Sequence, residues 1–373
     1  MMKVCIAMES PTSELYHELR DMLFDVLSTL GYLPVLTEDE DREALDADVL
    51  LMVGGIGFDG YAKLFTSREG RKPITILFLL EPLPPPTLGE RAEEIGLRAA
   101  KVWRRVKMPL GKFARLIEPV LPISVLRRVE KAISWSIFLG FKKQMAKSPQ
   151  QAFEEFDAFA RHRSMERYWW IKRHFLEGWI DHVFVSTVPK MEFLTSRGIP
   201  VELVPFGYHP GMGEILAMDR DIDVLFIGNV EGRRRQPMLD VLRRRLESKG
   251  MNLLTVEHDC YGKQRTELLN RARISLDLAN YPWELSGIRF LISMGCGALV
   301  VSEPLYNPSP FKVGEHFVQA SFDDLPDMIA HYLVHEGERE AIVRSANNFI
   351  TRELTLQKTV SQIMRVVGGD SAL

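Results

Sequence analysis

Three stretches of the chain carry residues whose types and spacing suit an anionic ligand with hydroxyl groups attached. In the first, the apolar run Asp223–Ile227 ends in Gly228-Asn229, and the next helical pattern opens with Arg233-Arg234-Arg235. At the carboxyl end of a parallel strand, glycine lets a ligand approach the backbone, and the following helix N-terminus offers N–H groups to anions. Arginines in a first turn oppose the helix dipole, a conflict that a bound anion would relieve; a solvated basic turn is the other reading. In the second stretch, Tyr261-Gly262-Lys263 follows another strand, so Lys263 opens a helix from the same rim. Two cationic positions on one rim suit a pyrophosphate better than a single carboxylate, although a surface lysine at a helix start is common. The third stretch runs Asn280-Tyr-Pro-Trp-Glu284-Leu-Ser286-Gly287-Ile-Arg289 and ends in the turn Gly295-Cys296-Gly297 before the apolar Ala298–Ser302. Glu284 suits hydrogen bonds from sugar hydroxyls, and the helix opening at Ser286-Gly287 suits phosphate. Taken alone, Glu284 also reads as an ordinary loop carboxylate.

The elements that must position these residues are strands and helices in alternation. Lys3–Met8 reads as a strand, Ser13–Leu30 as a helix stopped by Gly31, and Pro34–Thr37, Ala47–Val53 and Pro73–Leu80 as further strands. After a break, Gln150–Gly178 reads as a helix, Asp181–Ser186 as a strand, Val188–Ser196 as a helix and Val201–Pro205 as a strand. Phe206–Gly211 suits a linker between domains. The second half repeats the pattern: strands at Asp223–Ile227, Leu253–Glu257, Ile274–Leu278 and Ala298–Ser302, with helices at Arg233–Lys249, Lys263–Ala272 and Gly287–Met294. Helices at Leu325–Glu336, Glu338–Ile350 and Leu356–Val367 complete the chain. Short apolar strands separated by helices predict parallel sheets covered on both faces.

With 373 residues the chain suits two cores, and its net charge of -3 gives no reason to expect nucleic acid as a partner. Cys5, Cys260 and Cys296 lie far apart, which argues against a disulfide scaffold or a zinc site and favours a reducing cytoplasm. The N-terminus lacks the pattern of a signal peptide, and the longest apolar run, Ala132–Phe141, is too short to span a bilayer. Residues 88–148 read as an insertion of basic amphipathic helices, with basic residues from Arg98 to Lys147 opposed only by Glu118 and Glu130. This segment suits either contact with the inner face of a membrane or a soluble cap with a basic outer face.

With those residues in place, the C-terminal half, from about Asp181 to Ile363, resembles the nucleotide-sugar-binding domain of GT-B glycosyltransferases. It is most similar to the group 1 enzymes of sucrose, glycogen and mannosyl transfer and to the CgeB-like branch. The resemblance rests on Asp181–Ser186 with Val204-Pro205-Phe206-Gly207, on Asp223–Gly228 with Arg233–Arg235, on Tyr261-Gly262-Lys263, and above all on Glu284–Ser302. It implies an α/β fold of two Rossmann-like domains facing each other across a cleft, with the basic helical insertion in the first. The N-terminal domain would cover residues 1–208 and the nucleotide-sugar-binding domain 209–350, with a helix in 351–373 crossing back.

The resemblance further implies transfer of a sugar from a nucleoside-diphosphate sugar to a carbohydrate, lipid-linked or protein acceptor, without a cofactor or a metal. Asp39-Glu40-Asp41 reads as a solvated turn. Donor contacts would come from Gly228, Asn229, Arg234, Arg235, Tyr261, Lys263, Glu284, Ser286, Gly287 and Arg289. The family signature carries a second glutamate eight positions after the first, where this chain has Ile292, so a substitute in the loop Asn307–Glu315 is one expectation. A nucleotide-sugar epimerase and a non-catalytic binding protein are the alternative readings. If the sugar configuration inverts, a general base is needed, and Glu9 and His17 are the candidates on the N-terminal rim.

Overall fold

In the computed structural model, the apolar runs form two parallel sheets. The structure describes residues 1–9, 13–37, 44, 46–66, 72–117, 132–133, 136, 158–230, 234–257 and 260–367. The first sheet has the order β2-β1-β3-β4-β5-β6, with β1 at Lys3–Met8, β2 at Leu33–Leu36, β3 at Val49–Gly54, β4 at Ile74–Leu79, β5 at His182–Val185 and β6 at Glu202–Leu203. The second has the order β11-β10-β9-β7-β8, with β7 at Ile222–Ile227, β8 at Leu253–Val256, β9 at Ala272–Asp277, β10 at Leu299–Ser302 and β11 at Val318–Gln319. Every pairing is parallel.

Buried strands explain this arrangement. In β3, Val49, Leu51 and Val53 pack into one apolar layer while Leu50 and Met52 pack into the other, because successive side chains leave a strand on opposite faces. Helices cover both layers. The first domain carries α1 (Glu14–Thr29), α2 (Asp59–Thr66), α3 (Glu90–Ile117), α4 (Ala158–Leu176) and α5 (Val188–Thr195). The second carries α6 (Arg235–Glu247), α7 (Gly262–Arg271), α8 (Gly287–Gly295), α9 (Leu325–Val334) and α10 (Glu336–Arg352), and α11 (Leu356–Met364) follows. α1 buries Tyr16, Leu19, Met22, Leu23, Val26 and Leu27, the one-sided spacing of an amphipathic helix.

The domains meet at the linker between β6 and β7. Tyr208 donates its N–H to Leu354 at 2.7 Å and accepts that of Leu356 at 2.7 Å. Gly207 passes so close that a Cβ there would lie 2.3 Å from the backbone of Thr355. From this point α11 turns back onto α1 of the first domain, burying Leu356, Val360, Ile363 and Met364.

Two elements differ from the sequence expectation. α2 and the two-residue β11 are absent from that expectation. The basic segment begins inside a long helix, α3, whose inner face (Ala92, Ile95, Ala99, Ala100 and Trp103) belongs to the first domain's core. Arg98, Lys101 and Arg105 are exposed on its outer face. Most of the remaining basic segment, like Asp39-Glu40-Asp41 and Arg233, lies outside the described residues.

Candidate functional site

Both sheets have the same order around their first strand, with the second strand on one side and the third on the other. Ligands in such folds sit outside the carboxyl ends of strands where the order reverses. Those ends lie at Glu9 and Gly54-Gly55 in the first domain and at Gly228-Asn229 and Leu278-Ala279 in the second. A cavity of about 670 Å³ lies between the domains and is lined from both. Among its lining residues are Gly228, Asn229, Arg234, Arg235, Tyr261, Glu284, Ser286, Gly287 and Arg289.

One end of the cavity gathers groups that attract negative charge. α8 begins at its wall; Ser286 makes no side-chain cap, and the first turn holds no acidic residue. Its leading N–H groups therefore keep their attraction for negative charge. Arg235 is buried, with Nε on the Leu278 carbonyl at 2.8 Å and Nη1 on the Asn229 carbonyl at 2.9 Å. Among the described residues no carboxylate lies within salt-bridge distance of it. Burial, reinforced by nearby Arg289, lowers its pKa to about 9, which leaves it charged at neutral pH. Arg289 pairs with Asp277 at 2.7 Å, and both Arg235 and Arg289 lie over the Phe226 ring. Gly228 has φ +152°, and a Cβ there would come 2.9 Å from the Arg289 guanidinium. Arg234 is more fully committed, holding Glu303 through a two-point ion pair and donating to the Ala279 carbonyl at 2.6 Å.

The second cationic position expected on this rim is not there. Lys263 is 90% exposed and pairs with Glu267 at 3.6 Å on its own helix, away from the cavity. The N-terminus of α7 is already occupied by an anion from the other domain. Glu18 of α1 accepts from Gly262 N–H at 2.6 Å and from Arg265 at 2.7 Å. Tyr261 and the buried Arg265 do border the cavity, and Arg265 Nε has no hydrogen-bond partner.

Glu284 lies deeper and reaches the first domain. Its Oε1 accepts from Thr187 Oγ1 at 2.5 Å and lies 3.2 Å from Lys190 Nζ. Its Oε2 is buried without a partner. Burial raises the Glu284 pKa and lowers that of Lys190, and each charge opposes the other's shift.

On the first-domain wall, Glu81 lies two residues past the end of β4. It accepts from Tyr16 OH at 2.7 Å and pairs with Arg167 at 2.5 Å. Burial favours the neutral acid there, but Arg167 and the Tyr16 hydrogen bond outweigh it and hold the Glu81 pKa below the usual value. Glu9 is not on the cavity wall. It sits with one carboxylate oxygen 3.8 Å from Arg167 and the other buried without a partner. Burial raises its pKa to about 7 against the pull of Arg167. His17, half-buried on α1, does not border the cavity.

Ile292 lines the cavity from α8. The loop Asn307–Glu315 supplies Pro310 and Phe311 to the wall, while Glu315 pairs with Lys312 at 3.2 Å outside it. Among the described residues the lining carboxylates are Glu81, Glu257 and Glu284. The sequence reading missed Glu81, Arg167, Thr187, Lys190 and Arg265. Glu81 had a usable signal, a carboxylate close after a buried parallel strand. Arg167 stood beside Tyr168-Trp169-Trp170, which reads as core packing.

Residues 233–365 match a family described as glycosyl transferase-like. No curated protein matches the chain. HepE of Anabaena, solved in complex with UDP-glucose, is similar over 99% of this chain and 100% of its own, at 9% identity and a TM-score of 0.53. Sucrose-phosphate synthase of Thermosynechococcus elongatus is similar over 100% of both chains, at 8% identity and a TM-score of 0.54. TarM is matched over 53% of this chain at 12% identity and a TM-score of 0.43, and the chain spans only 46% of TarM. The family match covers residues 233–365 in the second domain, and the two-domain architecture is shared with both solved structures along its length, so the chain has the GT-B fold.

Proposed function

We propose that the chain transfers a glycosyl group from a nucleoside-diphosphate sugar to a hydroxyl acceptor in the interdomain cavity. The observation that carries this reading is the contrast between two helix N-termini on one rim. That of α7 is filled by Glu18, whereas that of α8 is uncapped beside Arg235 and Arg289. A diphosphate fits the second, and the cavity volume of about 670 Å³ falls in the usual range for small-molecule sites. Glu257, exposed on the same wall, is the carboxylate available to a ribose in place of Ile292.

In the reaction the acceptor oxygen bonds to the anomeric carbon as the bond to the diphosphate breaks. Negative charge grows on the leaving oxygens, where preorganised cations and N–H groups act most strongly. The acceptor's proton passes to the departing diphosphate, because Glu81, the lining carboxylate of the first domain, is held ionised by Arg167 and makes a weak base. Arginines and helix N–H groups meet the diphosphate charge without a metal ion, so turnover is expected to persist in excess EDTA. HepE is solved with UDP-glucose, which makes UDP-sugars the first donors to test. The outward basic residues of α3 favour an anionic acceptor or one held at an anionic surface. No helix among the described residues is long and apolar enough to cross a membrane.

A panel of nucleoside diphosphates and their sugars, with and without acceptors, tests the reading. Thermal stabilisation by a nucleoside diphosphate and release of diphosphate from the donor support transfer. Interconversion of sugars without release would instead make the chain an epimerase, and absence of any nucleotide binding would remove the site altogether.

A further inference from the structure

The donor-side loop between β9 and α8 is held by the first domain rather than by its own. Trp283 Nε1 donates to the Leu83 carbonyl at 2.9 Å, and the neighbouring Glu284 reaches Thr187 and Lys190 at the start of α5. Lys190 is 1% exposed. An ammonium has three N–H donors, and the partners here number three: the Leu80 carbonyl at 2.8 Å, Ser186 Oγ at 2.8 Å and Glu284 Oε1 at 3.2 Å. With Oε1 engaged in this way, Oε2 is the oxygen left over, buried and without a partner on a residue that lines the cavity.

We propose that Lys190, with Thr187, is a positioning residue that fixes Glu284 so that Oε2 receives a hydroxyl of the donor sugar. The sugar subsite is then assembled from both domains and is complete only when they are closed. The diphosphate subsite belongs to the second domain alone. This inference rests on the transferase reading above. It separates two contributions to donor affinity: the nucleoside diphosphate binds without help from Lys190, and the attached sugar does not. The other charges near the pair are Glu81 and Arg167, both on the first domain, and each is retained in the variants below.

The test uses the full chain and measures binding of UDP, ADP and GDP and of their glucose conjugates by calorimetry. For Lys190→Met, nucleoside diphosphate affinity is expected to match the wild type. The extra affinity contributed by glucose should fall roughly ten- to hundredfold, the range for a hydrogen bond to a charged group. The double variant Lys190→Met/Glu284→Gln should bind the sugar nucleotide no more weakly than Glu284→Gln alone. Equal losses for diphosphate and sugar nucleotide, or additive losses in the double variant, would overturn the proposal. Thr187→Val keeps the buried lysine and guards against misfolding of the first variant. Removing one hydrogen bond to Oε1 makes Glu284 easier to protonate, so the sugar's contribution should disappear at a higher pH than in the wild type as pH is lowered. An unchanged pH profile with unchanged sugar affinity counts against the proposal. A wild-type chain that binds none of the nucleotides overturns the transferase reading first and this inference with it.

Discussion

Replacing Glu9 with glutamine is expected to stabilise the protein at alkaline pH and to leave it nearly unchanged in acid. Burial, only partly offset by Arg167, raises the Glu9 pKa from 4.5 to about 7. An unfolded chain therefore releases this proton near pH 4.5, while the folded chain keeps it until about pH 7. The stability associated with the protonated group is fully present below the unfolded value and is lost as pH rises through the folded one. At about 1.4 kcal/mol for each tenfold change in proton affinity, the interval amounts to roughly 3 kcal/mol. Glutamine has no proton to lose, so Glu9→Gln should match the wild type near pH 4 and exceed it by roughly 3 kcal/mol at pH 8. Urea unfolding followed by tryptophan fluorescence reads this difference, since Trp103, Trp170 and Trp179 are buried in the same domain. A stability difference independent of pH, or a variant less stable than wild type at pH 8, would refute the reasoning.

The remaining expectations concern the rim. Gly228→Ala forces a side chain onto a positive φ and against Arg289; a tenfold or greater loss of nucleoside diphosphate affinity is expected by titration, with a destabilisation of about 1–3 kcal/mol. Glu18→Gln removes the charge that joins α1 to Gly262 and Arg265 and leaves a buried arginine without its carboxylate. Denaturant unfolding should show a loss of roughly 2–4 kcal/mol. Lys263→Ala should leave nucleotide affinity as it is, and a clear loss would return that residue to the site.

Much of the second domain was legible because its candidate site residues lie close after strand ends. Gly228 closes β7, Arg235 opens α6, and Glu284 and Arg289 flank the start of α8, so local order carries them to one edge. Lys263 met the same local criterion and still faces solvent. Glu18, which fills the N-terminus of that helix, lies 244 residues before Gly262, and no local pattern announces it. Lys190 and Arg167 were hidden for a related reason. Each is a buried cation whose value depends on a carboxylate brought in by tertiary structure: Glu284 for the first, Glu81 and Glu9 for the second. Ile292 lines the cavity as an apolar side chain, and the loop expected to compensate for it supplied Pro310 and Phe311 to the wall instead of a carboxylate.

The pairing of Tyr208 with Leu354 and Leu356 joins the two halves of the protein by two chain crossings at one place. A single tether would let the halves swivel in any direction. Two crossings side by side act as a pivot with one preferred axis, so opening swings the mouth apart while the base stays fixed. Glu18–Arg265, Lys190–Glu284 and Tyr306–Glu192 bridge the same two halves and must part for that swing to occur. Access to the cavity between the halves thus depends on how readily those links, and the Trp283–Leu83 hydrogen bond, release together.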